Sequence, residues 1–449
     1  MKEQNSSGKE RLTAFFDADT FVELGAYIRR PESEDAEGVI CGYGACDGRL
    51  VFAFSQDGSR MKGALDGRHA DKIAVTYEKA LAVGAPVVGF FDCAGAVVFE
   101  GASALAGYGK LLSTAAKAAG RIPQIAVIDG VCAGTMAAVA ALFDLTVIVR
   151  PTGRLYVSSP AVIGEEVGTA DYAAAHGNAA LVAENTREAA ALVADLLSYL
   201  PDRAGGNRPE TATDDLNRAL TLGARVPAKE ALLASVDAGR FTELYPAFGA
   251  GVTAGLANMG GLSVIAAAID GALTLAALKK LTRLLTFADR FGLPFVTFVN
   301  CEGLAASAAD EPETAAAVAA LASARVKAAV PQVTAIVGFA VGAGFLLGGA
   351  KTLGADVVFA LPESEISTLS AETGVAFLWN DRITPEGTRA MLEEKWRRAA
   401  APEAAAATGE VDDIVSPAEL RARILAALMM LRGKRCPPPP PPFGRPFKR

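Results

Sequence analysis

The chain contains one unit twice. Residues 84–95 (GAPVVGFFDCAG) recur as residues 292–303 (GLPFVTFVNCEG), an offset of 208. At that same offset residues 122–128 (IPQIAVI) recur as 330–336 (VPQVTAI), and Gly134 falls on Gly342. Chance similarity between apolar runs does not keep its spacing across some forty residues, so the pattern is a tandem duplication. A strand signature, FVEL at 21–24, returns as FTEL at 241–244, but there the offset is 220. The second copy is therefore about twelve residues shorter between that strand and Pro294. Two equivalent sites in one chain are expected.

A length of 449 residues suits two domains of roughly 200 each. The polar, Gly- and Pro-rich stretch 201–209 (PDRAGGNRP) is the linker candidate, which places a first domain at 1–205 and a second at 206–432. The remainder, 433–449, is a proline-rich tail with an unbroken run at 437–442, read as a solvated polyproline II extension or a partner-binding segment. Within each unit, apolar strands alternate with amphipathic helices. Asp47-Gly48 marks a hairpin, and the helices at 70–83 and 275–291 each stop at a glycine, Gly84 and Gly292. That alternation predicts an α/β fold with a mainly parallel sheet and right-handed crossovers.

Composition narrows the function. A net charge of −7 argues against nucleic acid as the main partner. The six cysteines form no C-x-x-C pair, and the start of the chain has no apolar segment of a signal peptide. The apolar run at 330–347 is broken by Pro331, Gln332 and glycines, so it is read as strand, turn and helix rather than a membrane span. A cytoplasmic, reducing-compartment protein without a metal site is expected.

Side-chain catalytic sets are scarce. The two histidines, His69 and His176, have no second ligand at metal spacing, and there is no G-x-S-x-G elbow, phosphate loop or dinucleotide fingerprint. Backbone chemistry remains. Residues 129–135 (DGVCAGT) follow the strand at 124–128 and precede a small-residue helix at 136–143; residues 339–345 (FAVGAGF) follow the strand at 332–337 in the same way. Small residues there leave N–H groups free for a ligand oxygen, as in an oxyanion hole. The same glycines also suit tight strand–helix packing, and the duplication sets the two readings level.

In order and spacing, the chain resembles the carboxyltransferase subunits of biotin-dependent acyl-CoA carboxylases and decarboxylases. The matching segments in the first half include FVEL at 21–24, GYG at 42–44, HADKI at 69–73, LAGYG at 105–109, IPQI at 122–125, CAG at 132–134, GEEV at 164–167 and LSYLP at 197–201. In the second half they include FADRF at 287–291, LGADVVFA at 353–360 and GEVDDIVSP at 409–417. The resemblance implies an α/β chain of two crotonase-like domains in tandem, acting on coenzyme A thioesters with biotin borne on a separate carrier protein. It implies that Gly134 and Thr135 supply an oxyanion hole on the acyl-CoA side, and Ala343 and Gly344 a second on the biotin side. Gly95, Ala96, His69, Cys132, Ala133, Gly342 and Glu372 would contact substrate. It also implies a biotin carboxylase or membrane decarboxylase subunit as partner, and a homodimer or dimer-built hexamer. Departures from the family pattern fall mostly in the second half. Thr135 stands where a glycine is usual and adds a branched side chain at a crowded position. Val97 replaces an Arg, 342–344 reads Gly-Ala-Gly, 300–304 lacks a proline, and 315–324 has alanine and valine for the usual glycine and lysine. Three functions stay open: an active carboxyltransferase subunit, a catalytically degenerate structural or regulatory paralogue, and a biotin-independent crotonase-type acyl-CoA enzyme.

Overall fold

A computed structural model describes residues 7–28, 38–206, 212–385 and 387–434. The expected linker is described as far as Gly206; the proline run and Cys436 lie outside the described residues. The signature at 21–24 forms β1 (Val22–Leu24), antiparallel to β2 (Val39–Cys46), which turns into β3 (Arg49–Gln56). From β3 the sheet is parallel, through β4 (Val87–Cys93), β5 (Gln124–Ala133), β6 (Leu145–Val149) and β8 (Leu181–Ala183), with β7 (Arg154–Tyr156) joined to the far end of β5.

The second sheet repeats this order strand for strand. It comprises β9 (Phe241–Glu243), β10 (Val252–Met259), β11 (Leu262–Leu273), β12 (Phe295–Leu304), β13 (Gln332–Val341), β14 (Val357–Ala360) and β16 (Asp413–Ile414), with β15 (Glu365–Ser367) on the far end of β13. The missing residues of the second copy divide between two places. Phe52 pairs with Val87 as Ile265 pairs with Phe295, so the offset has already fallen to 213 at the hairpin before reaching 208 at the next strand. The expected glycine stops hold: Gly84 and Gly292 close the helices Gly67–Val83 and Leu275–Phe291 in the left-handed conformation, at φ 71° and 69°. One expectation is corrected. The strands read at 124–128 and 332–337 run on to Ala133 and Val341, so each Gly-rich turn contracts to one residue, Gly134 or Gly342.

Polar contacts recur with the strands. Asp17 accepts from the amides of Asp47 and Gly48 at the hairpin tip (3.1 and 2.8 Å), and Asp237 from those of Gly260 and Gly261 (2.9 and 2.7 Å). All four tip residues have positive φ, the geometry of a tight two-residue hairpin. Asp237 is fully buried and is neutralised by Arg421, itself buried, at 2.7 Å. The halves share one apolar core, in which Leu196 and Tyr199 of the helix Thr186–Tyr199 join Leu256, Leu281 and Leu284 of the second copy. Arg240–Asp195 and Arg290–Asp144 ion pairs flank it.

The two hairpin clamps predict unequal stability effects. Asp237→Ala leaves the buried Arg421 guanidinium with Asp214, at 3.5 Å, as its remaining carboxylate, and is expected to cost about 3 kcal/mol. Asp17→Ala loses only hydrogen bonds at an exposed turn and is expected to cost about 1 kcal/mol. Urea unfolding of the two variants checks the contrast.

Candidate active site

The site begins with a strand that changes neighbours. Along 125–128, β5 pairs with β6; along 131–133 it pairs with β7. In the same way β13 pairs with β14 along 333–336 and with β15 along 339–341. At the crossing each strand bulges against its other neighbour. The register with β4 jumps from Phe91–Ile128 to Cys93–Cys132, and that with β12 from Val299–Ile336 to Cys301–Ala340. Glycine is required inside both bulges: a Cβ on Gly130 would lie 2.2 Å from Asp92 Oδ1, and one on Gly338 2.3 Å from Asn300 Oδ1.

The switch delivers the chain to the two turns in the same geometry. Gly134 has φ 60° and ψ −130°; Gly342 has φ 52° and ψ −126°. The Gly134 amide donates to Tyr156 O at 2.9 Å and the Gly342 amide to Ser367 O at 2.8 Å. Short helices, Thr135–Ala140 and Ala343–Gly349, follow at once. Their first two amides, Thr135 and Met136 in one copy and Ala343 and Gly344 in the other, take no partner among the described residues. The expected donors thus shift by one position in the first copy. Gly134 sets the backbone conformation and Thr135 presents the open N–H, equivalent to Ala343.

The loop after β4 completes the first turn. Ala94 N, Gly95 O and Val97 N bond to Lys62 O, Leu65 N and Leu65 O, which leaves the amides of Gly95 and Ala96 without a partner among the described residues. Both residues are half-buried, and Cys132 and Ala133 are buried in the strand between the loop and the turn. In the second copy 300–304, which lacks the proline of the family pattern, continues as strand β12 to Leu304. The side chain of Thr135 is exposed, so it does not crowd the turn as its branching suggested. Gly344, by contrast, is packed: a Cβ there would lie 2.5 Å from Cys301 Sγ.

Among the described residues, no side chain near either turn is a strong nucleophile. Burial raises the thiols of Cys93, Cys132 and Cys301, and the described cysteines are free. His69 has no exposed surface. Its Nε2 lies 3.2 Å from Gln56 Nε2, and because Gln56 Oε1 accepts from the Asp92 amide, that nitrogen of His69 is the acceptor. His69 therefore supports the interior behind the first turn instead of meeting a ligand. Glu372 lies in the first turn of the helix Ala371–Leu378, which follows β15. Its carboxyl is held below the usual range, first by its own backbone amide and then by Arg397 at 2.9 Å. His176 stacks on Tyr172 and bonds to its carbonyl, an ordinary helix end. Among the described residues no group of three or more His, Cys, Asp or Glu is placed to hold a metal, and no helix is long and apolar enough to cross a membrane. Sequence reasoning missed Asp92, Asn300, Gly130 and Gly338, although both pairs keep the offset of 208.

Comparisons with known proteins agree over nearly the whole chain. The profile of a family described as a carboxyl transferase domain matches residues 4–445. The methylmalonyl-CoA decarboxylase subunit alpha of Veillonella parvula is 34% identical over 97% of this chain and 92% of its own length. A putative propionyl-CoA carboxylase beta chain of Bacillus subtilis strain 168 is 33% identical, over 97% and 93%. Among solved structures, transcarboxylase 12S, described as a hexamer with methylmalonyl-coenzyme A and methylmalonic acid bound, superposes with a TM-score of 0.90 at 28% identity, covering 98% of this chain and 92% of that one.

The turn geometry separates two neighbouring substitutions. Around a Cβ on Gly134 there is no atom within 4 Å, so Gly134→Ala meets no clash and pays only for its backbone conformation, about 1–3 kcal/mol. Thr135→Ala, at an exposed side chain, is expected within about 0.5 kcal/mol of the parent. Denaturant titration of both variants tests this.

Proposed function

From the premise that the chain belongs to the carboxyl transferase family, we propose that it transfers a carboxyl group between carrier-bound biotin and the α-carbon of an acyl-CoA. The α/β fold is a tandem of two crotonase-like domains, assigned here to 1–205 and 206–432, with one turn serving each substrate. The observation that carries this reading is the identity of the two turns: same backbone angles, same anchored glycine amide, and the next amide left open. A degenerate second half would have no reason to keep that geometry after losing its side-chain pattern, which favours the active subunit over the structural paralogue. The same retention speaks against a crotonase-type enzyme that needs one hole only.

The residues fit both substrates as donors to oxygen. The Thr135 amide, with Ala96 across the loop, holds the thioester oxygen as it gains enolate charge. The Ala343 amide holds the ureido oxygen of biotin. Biotin, when bound, would supply the carboxyl group and, at its ureido nitrogen, a base for the α-proton. Preorganised N–H donors act without a side-chain base, and losing one costs about 10²–10³-fold in rate in a well-studied case. The half-buried Gly95 and Ala96, with Cys132 and Ala133 behind them, would line the acyl-CoA side, and Gly342 and the neighbouring helix bearing Glu372 the biotin side. The relatives are named as subunits of larger enzymes, which supports a separate biotin carboxyl carrier protein and a homo-oligomer as partners.

Proline at the first helical position removes an N–H without breaking a helix, because that N–H has no partner inside it. Malonyl-CoA or methylmalonyl-CoA decarboxylation by the purified protein with free biotin, followed by chromatography of the CoA products, is expected to show biotin-dependent turnover. Thr135→Pro and Ala343→Pro are each expected to lower kcat by about 10²-fold or more with acyl-CoA binding retained. Acyl-CoA binding without any turnover by the parent protein would make the structural paralogue the better reading.

A further inference from the structure

We propose that Asp92 and Asn300 are positioning residues, one for each turn: each holds the bulge at which β5 or β13 changes neighbours, and so fixes where the Thr135 and Ala343 amides point. This rests on the reading above, in which those amides hold the reacting oxygens. The two side chains occupy equivalent positions at the offset of 208. Asp92 Oδ1 accepts from Val131 N at 3.2 Å, and Asn300 Oδ1 from Phe339 N at 3.0 Å. Each of those amides belongs to the first residue that pairs with the new neighbour, β7 or β15. Two residues further on, the strand ends at the residue before the glycine turn.

What lies behind the two clamps is different. The other oxygen of Asp92 faces Arg11 at 3.0 Å and Gly58 N at 3.2 Å, and Arg11 is held in turn by Asp129 at 3.1 Å and by Gln56 O at 2.7 Å. The nitrogen of Asn300 donates to Asp270 Oδ1 at 3.0 Å, and the Asp270 carboxylate also caps the helix Ala228–Ser235 through the amides of Ala228 and Lys229, at 2.8 and 3.0 Å. A carboxylate faces a cation in one copy; an amide faces a carboxylate in the other. The oxygen turned toward the bulge is the one feature the two clamps share. Support for the interior has been rebuilt in each half, whereas the contact that aims the turn has stayed.

The test uses the full chain in the free-biotin decarboxylation assay, with hydrogen exchange of the peptides spanning 130–137 and 338–345. Asn300→Leu removes the acceptor and is expected to lower kcat about tenfold to a hundredfold, with KM for acyl-CoA within about twofold, because the acyl-CoA turn is untouched. Exchange is expected to quicken in 338–345 alone. Asn300→Asp sets two carboxylates against each other and is also impaired. Adding Asp270→Asn relieves that repulsion but turns its NH2 toward the amide of Ala228 or Lys229, so kcat and exchange are expected to recover only in part. Asp92→Leu is the first-half counterpart; since it also takes from the buried Arg11 one of its two carboxylates, the second-half series decides if that variant does not fold. Parent-like kcat and exchange in Asn300→Leu would overturn the proposal. An inactive parent protein sinks the carboxyltransferase reading instead, and the exchange measurement then still decides this one.

Discussion

A parallel strand that trades one neighbour for another has to cross a gap in which its own amide has no ladder partner. In this chain Val131 and Phe339 carry that amide, and an oxygen from Asp92 or Asn300 satisfies it. A buried N–H left unpaired would cost about 1–3 kcal/mol, so the clamp is what makes the crossing possible. The rest follows from geometry. The clamp side chain needs the space above Gly130 or Gly338, and the crossing carries the strand to β7 or β15. The carbonyl of Tyr156 or Ser367 then takes the turn glycine's amide. The next N–H is the first of a helix and is open to a ligand.

Duplication gives an internal control on what each buried polar group is for. Lys72 and Lys280 stand at equivalent positions, and each donates to the carbonyl of the first residue of the hairpin, Val39 or Val252. Burial lowers Lys280 to about 8. Gln124 and Gln332, the repeated residues of the Pro-Gln motif, each bind the carboxylate of the next loop, Asp144 or Asp356, through their backbone amides. Their side chains tie the preceding helix to the sheet, through Ala115 O and Arg325 O. The motif that announced the repeat is therefore architectural, located at the end of the strand away from the turn.

Much of the fold was legible because short-range rules carried it. Asp47-Gly48 dictates a tight hairpin, Gly84 and Gly292 dictate helix ends, and a constant offset dictates two copies. The turns were located, and the amides of Thr135, Ala343 and Gly344 are open as read, but that of Gly134 is taken. Whether the amide of Gly134 is free depends on Tyr156 O, which belongs to a strand of three residues with no strand signature of its own. Thr135 looked crowded because sequence shows the branching of a side chain and not its direction. His69, expected near a ligand, is interior because Gln56 and the clamp draw it inward. These are long-range contacts between elements far apart in sequence, and single-sequence patterns do not encode them.

The apolar core that runs through both halves also bears on how such a chain arose. Leu196 and Tyr199 of the first copy, and Leu281 and Leu284 of the second, lie in one buried apolar cluster. A precursor holding one unit would have presented that greasy surface to water, and a second molecule of the same kind would have been its natural cover. Two copies in one chain make that association intramolecular and so independent of concentration. Once the two are joined, either half can diverge without losing its cover.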